Sequence, residues 1–299
     1  TSPRPSFGLP KFGPVDNETS SFQAQWAGGM IFDGKRIYFE KNVGIANKQT
    51  EKQKTTITEA ACGQMTVELD RFVDFQESAK QDLEIKPVVG SQSDNQRPKA
   101  KPTELIFIDE VSPSKRVFAV DDPSSPTFAN TAPMVIMHRT YGTNGKLEQQ
   151  QSISAEQVKI DAVTQKIAAD GPGWVSTHSR QSAKSTMAGQ GGSSNPLARF
   201  SNNEKGDIAF IRVNFDGDMQ VNSETGHMDI HGRVRTVYLP LRDWRGGVDP
   251  DKIPAGQTDA VLLISQQLKI AQWKPRGESE PVREVIATGN VRMTGDSID

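Results

Sequence analysis

The residues best spaced for chemistry are His227, Asp229 and His231, in the run HMDIH. In an extended strand alternate side chains share a face, about 6.6 to 6.8 Å per two-residue step, so these three line up on one side. Imidazole and carboxylate are natural ligands for zinc or copper. Adjacent positions on one strand face stand too far apart to close a tetrahedral site without a third element. The intervening Met228 and Ile230 are apolar, so the run reads as the wet face of a half-buried strand, with no metal. His138 and His178 are isolated, in MHRTYG and STHSR. The single cysteine, Cys62, can form no internal disulfide and has no identifiable partner base, which leaves it a small apolar filler.

The hydrolase templates lack their parts. The chain contains no Gly-x-Ser-x-Gly elbow, no His-Glu-x-x-His and no Cys-x-x-Cys. The acidic pairs Asp121-Asp122 and Asp249 to Asp251 lie beside prolines, where Asp bonds its own backbone in turns. GQGG at Gly189 to Gly192 is not followed by Lys-Ser/Thr and reads as a linker, not a phosphate cradle. Trp26, Trp174, Trp244 and Trp273 sit near strand ends or turns, where large aromatics plug the ends of a β core. No catalytic residue and no cofactor is expected, and the chain reads as a non-enzyme.

The elements that position these residues are strands. Alternation of period two runs through IFDGKRIYFEKNVGIAN, with Ile37, Phe39, Val43 and Ile45 on one face and Arg36, Tyr38 and Glu40 on the other. It recurs in MTVELD, EQVKID, AFIRVNF, MQVNSETGHMDIHGRVRTVYL, LISQQLKIAQW and REVIATGNVRMTG. No comparable 3.6-residue stripe appears, so the fold class is all-β. Asp33-Gly34, Asn144-Gly145 and Asp216-Gly217 have the composition of two-residue type I′ hairpins.

Composition agrees. Of 299 residues 34% are hydrophobic and 24% charged, which suits an elongated body or a small core between long solvated loops. With 35 Lys+Arg against 37 Asp+Glu the net charge is −2, without the basic footprint of a nucleic-acid binder. No apolar stretch approaches the roughly 20 residues of a membrane-spanning helix. Residues 1–21 carry Pro3, Pro5, Pro10 and Pro14 and form an extended arm. Residues 22–180 form a first β-repeat segment with a polar insertion near 76–103. A Gly/Ser-rich loop or linker at 181–203 separates it from a second segment, 204–299.

A phrase repeats along these strands: FEKNVGIA from Phe39, IHGRVRTV from Ile230, ATGNVRMTG from Ala287 and, more weakly, AADGPGWVSTH from Ala168. Each brings an apolar strand to a Gly or Asn, where it bends or bulges and then resumes. With VKIDAVTQKIAADG, and with TTITEAACGQMTVELD after FEKNV, the phrase resembles the organic-solvent-tolerance-protein-A-like family, the periplasmic domains of lipopolysaccharide transport in Gram-negative bacteria. The resemblance covers about half the chain, in short pieces. It implies an elongated, incompletely closed antiparallel jelly roll, V-shaped and taco-like, built from repeated strand units, with a greasy trough for acyl chains and no catalytic residues.

Placed on that fold, the alternating runs turn Ile37, Phe39, Val43, Ile45, Val67, Leu69, Val221, Met228, Ile230, Val234, Val291 and Met293 inward as a lipid lining. The expectation is a non-enzymatic lipid-binding domain of the periplasm or cell envelope, with lipopolysaccharide or another lipid as ligand. Like β-domains are expected to add at an open edge strand, and the second segment to continue past the chain end. The alternatives are a structural β-repeat module of a large envelope protein, packed shut by its own side chains, and, less favoured, a carbohydrate-active β-helix protein.

Overall fold

The computed structural model describes residues 19–51, 54–73, 100–109, 134–180, 208–223, 225–254, 257, 259–273 and 282–295. Every regular element among them is a strand: β1 (Thr19–Gln25), β2 (Met30–Phe32), β3 (Arg36–Glu51), β4 (Lys54–Leu69), β5 (Pro102–Ile108), β6 (Val135–Tyr141), β7 (Leu147–Ser154) and β8 (Gln157–Asp161), then β9 (Lys166–Asp170), β10 (Gly173–Arg180), β11 (Ile208–Phe215), β12 (Asp218–Asn222), β13 (His227–Leu241), β14 (Val261–Trp273), β15 (Val282–Thr288) and β16 (Arg292–Thr294). All pairings are antiparallel. Among the described residues no helix is long and apolar enough to cross a membrane.

The pairings sort the strands into two halves. In half A the neighbours run β2, β3, β4, β5, β8, β9, β12, β13, β14, β15. In half B they run β1, β3, β4, β6, β7, β10, β11, β13, β14, β16. The chain therefore lays down one rung after another, each crossing between halves along a common crease. β3, β4, β13 and β14 cross unbroken, whereas β7 to β8, β9 to β10 and β11 to β12 cross through two-residue bends.

The ladder also returns on itself. The N-terminal part of β4 pairs with β6 and its C-terminal part with β5, so β4-β5-β8-β9-β12-β13-β11-β10-β7-β6 closes a ring of pairing around the crease. This corrects the incompletely closed, V-shaped roll expected from the sequence, while the all-β, antiparallel reading stands. The cause is the length of β4 and β13, 16 and 15 residues, which lets each serve both halves. The loop or linker expected at 181–203 lies outside the described residues; β10 and β11 on either side of it are paired from Arg180–Ile208 to Gly173–Phe215.

The repeated phrase is the crease. In FEKNVGIA, Lys41 and Asn42 take positive φ and the β3–β4 register shifts between Glu40 and Val43. In IHGRVRTV, Gly232 has φ +84 and the β13–β14 register shifts between His231 and Val234. In ATGNVRMTG, Gly289 and Asn290 both have positive φ. All four copies, AADGPGWVSTH included, lie where the chain passes from half A to half B. This gives the repeat its physical content: a bulge that turns a strand without reversing which face is apolar.

The three Asp-Gly and Asn-Gly pairs do not form type I′ turns. Gly34 and Gly145 have positive φ but Asp33 and Asn144 do not. Their carboxylate and amide oxygens instead accept backbone N–H bonds, Asp33 from Lys35 and Arg36 at 2.9 and 2.7 Å, and Asn144 from Lys146 at 2.9 Å. Asp216-Gly217 is a crease bend between β11 and β12, which do not pair with each other.

At the centre of the crease, backbones of successive rungs touch. Gly171 N–H donates to Gly217 O at 2.7 Å and Gly217 N–H to His231 O at 3.2 Å. A Cβ on Gly232 would overlap the Gly217 backbone, in a left-handed conformation besides. Gly232→Ala is expected to cost about 3 kcal/mol in urea unfolding, strain plus clash, against about 1 kcal/mol for Gly145→Ala, whose turn has open space for a Cβ. Equal losses at the two positions would contradict this account of the crease.

Candidate functional site

Inward positions follow from the register. Half A presents two apolar rows across its strands. Nearer the crease are Met65, Phe107, Val158, Ala169, Met219, Ile230 and Leu268, and beyond them Val67, Leu105, Ile160, Ile167, Val221, Met228 and Ile270. Half B presents Ile45, Ala60, Ile136, Ile153, Val175 and Val213 beside the crease. These rows belong to one core cluster, with Ile270 packed at its margin. Burying such a side chain fully is worth about 1.5–3 kcal/mol, so this cluster is the main source of cohesion.

The expected lining residues divide accordingly. Phe39, Val43, Ile45, Val67, Val221, Met228, Ile230 and Val234 are buried in the cluster, and Ile37 and Leu69 pack against it half-buried. Met293, opposite Leu263, is half-buried. Val291 follows the Gly289-Asn290 bend before β16 begins and is 51% exposed.

The polar candidates are placed on the outside. His227, Asp229 and His231 do share one face of β13, away from buried Met228 and Ile230. His231 Nδ1 lies 3.1 Å from Asp218 Oδ2 and its Nε2 lies 3.1 Å from Asp229 Oδ1. The Gln267 amide nitrogen contacts both, donating to Asp229 Oδ1 at 2.8 Å and lying 2.9 Å from His231 Nε2. Lys269 completes the cluster, 3.3 Å from Asp229. Among the described residues no group of three or more His, Cys, Asp or Glu could hold a metal. His227, Asp229 and Lys269 edge a groove of about 560 Å³ on the outer face of half A, which also takes in Lys159, Lys166 and Gln220.

Asp249 and Asp251 do occupy a turn, with Asp251 N–H donating to Asp249 Oδ1 at 3.0 Å. They also clasp the sheet, which spacing did not reveal. The Asn214 amide donates to both at 2.8 Å, Arg212 lies 3.6 Å from Asp249, and Arg235 lies 2.6 Å from Asp251 while gripping Asp216 with two bonds. Burial raises the Asp249 pKa, but the Asp251 N–H and the Arg212 charge outweigh it and hold the carboxyl below its ordinary value. Arg212 in turn covers the Trp174 ring at 4.7 Å. The clasp seats a second apolar cluster, Phe210, Val237, Leu239 and Ala260, on the outer face of half B. His178 belongs to this covering layer: its Nε2–H donates to Gly246 O at 2.8 Å and its ring packs on Phe210. Cys62 is buried in the main core, the place of an apolar filler.

The feature that periodicity missed is inside half B. Past its apolar row the inner face of β3, β4, β6, β7 and β10 changes to Asn47, Thr58, His138, Gln151 and Thr177, each the direct cross-strand partner of the next and each buried. The strand that carries Gln151, LEQQQSIS, has no apolar alternation to announce it. His138 Nδ1 lies 2.9 Å from Thr58 Oγ1, and burial pushes its pKa down to about 4.

The native ring therefore resists a proton that the unfolded chain accepts below an ordinary value of about 6.5. Stability assignable to His138 is fully present above that pH and falls as the pH drops toward 4, by up to about 3 kcal/mol. His138→Gln should remove this loss. Urea unfolding of both proteins at pH 7.5 and 4.5 is expected to show the variant gaining relative to the wild type on acidification. A stability difference independent of pH would contradict the burial of a neutral imidazole.

No family model matches this chain, and comparisons with curated proteins and with solved structures return no match.

Proposed function

We propose that the protein is a non-enzymatic lipid-binding domain of the lipopolysaccharide-transport type, working in the periplasm or cell envelope. Its inner faces shield acyl chains of lipopolysaccharide or another lipid while a polar head stays wet. The observation that carries this reading is the row Val67, Leu105, Ile160, Ile167, Val221, Met228, Ile270, apolar and uncharged across seven successive strands of half A. A chain of methylenes laid along such a row gains about 0.8 kcal/mol for each CH₂ removed from water. Passive shielding supplies no direction, so transport would draw its energy from partners.

Like β-domains are the partners this reading adds. Among the described residues the sheet ends at β1 and β2 on one side and at β15 and β16 on the other. Six large apolar side chains cluster at those ends: Trp26, Met30 and Ile31 at the first, Val285, Ile286 and Val291 at the second, each 39–56% exposed. An unpaired edge next to exposed apolar residues is suited to strand addition by a second module.

The second reading is a structural β-repeat module whose interior is packed shut. It is favoured by the complete burial of Phe107, Phe215, Met219, Ile230 and Val234 beside the crease.

A fluorescent acyl probe separates the two. Ile270 is half-buried at the margin of the core, so Ile270→Asn leaves the packed centre intact. On the lipid reading this variant is expected to weaken probe binding about tenfold, or 1.4 kcal/mol, with outward Lys269→Gln unchanged. Failure of the wild type to bind the probe, or equal losses from both substitutions, favours the closed module.

A further inference from the structure

We infer that half B's inner face is a recognition surface for the neutral hydrogen-bonding group of an amphiphile, an amide or hydroxyl on an acyl chain rather than a free carboxylate. The inference rests on the lipid-binding reading and specifies its ligand class.

The two inner faces differ in chemistry at the same distance from the crease. In half A the second row is wholly apolar. In half B its first five strands carry Asn47, Thr58, His138, Gln151 and Thr177, after which the row returns to Ile211, Tyr238 and Val261; beyond those five polar positions lie Gln49, Thr56, Thr140, Gln149 and Ser179, again in direct cross-strand register. Two adjacent rows spanning five strands thus offer donors and acceptors with no fixed charge.

Gln151 is the decisive member. It is 2% exposed, and neither its amide oxygen nor its amide nitrogen has a hydrogen-bond partner. Thr177 beside it, 7% exposed, has an unpaired hydroxyl. An unmet buried polar group costs about 1–3 kcal/mol, so a surface kept only for cohesion would carry leucine or valine here. Gln151 presents a donor and an acceptor side by side, the complement of another carboxamide, and Thr177 adds a hydroxyl that serves as either. His138 remains neutral across the physiological range, its pKa depressed by burial, so no cation is offered to an anion. A carboxylate entering this row would lose its hydration without gaining an opposite charge.

The test is displacement of N-phenyl-1-naphthylamine from the purified full chain at pH 8 by dodecanamide and by dodecanoate, which share a chain length. Wild type is expected to favour the amide by about tenfold, the worth of one to two hydrogen bonds. Gln151→Leu should bring the two competitors within about twofold while the reporter still binds. Thr177→Val, which hardly changes volume, should reduce the preference by itself if Gln151→Leu fails to fold. Equal competition in wild type, or a preference that survives the substitutions, overturns the inference and leaves the lipid reading standing. Absence of any reporter binding overturns both.

Discussion

Everything in this fold depends on ten successive rungs crossing from one half to the other along a single crease. A strand that turns there must bend sharply while keeping its apolar face inward on both sides. β3 and β13 solve it with bulges, at Lys41-Asn42 and Gly232, and the last rung with Gly289-Asn290. Because neighbouring backbones meet at the crease, small residues gather there: Gly171, Gly217 and Gly232 stack with almost no room for a Cβ. The core, the pairing of both halves and the shape of the interior are consequences of that line.

The same constraint sorts the side chains. Next to the crease the two faces are close enough to bury each other, and residues such as Phe107 and Ile230 reach complete burial. Farther out their demands separate. Half A stays apolar, whereas half B turns to amides, hydroxyls and one neutral imidazole. On the outer surface each half has its own solution. Half A exposes the Asp218–His231–Asp229 cluster, while half B is covered by residues 242–254, pinned through Asp249 and Asp251 to Arg212, Asn214 and Arg235.

Much of this was legible in the sequence, and the illegible parts share a cause. Strands with one wet and one buried face alternate clearly, so β3, β4, β8, β11, β12, β13, β14 and β15 and the facing of His227, Asp229 and His231 could be read directly. The repeated Gly/Asn phrase marked the crease, although it gave no sign that β4 and β13 each serve two neighbours and so close the ring. β7 was invisible because its inner face is polar: glutamines at 149 and 151 carry no hydrophobic signal. The roles of Asp249 and Asp251 beyond their own turn depend on arginines about 15 to 40 residues away in sequence, which no local pattern encodes.

The central claim is that the two unlike faces enclose a space for an acyl-bearing amphiphile. Native mass spectrometry of the chain, purified from its native source without detergent, tests this most directly. The account predicts a bound species that extraction and fragmentation identify as an acyl lipid. Only the bare polypeptide mass, with acyl lipid supplied in excess failing to add to it, would contradict the account and leave a β-module closed on its own core.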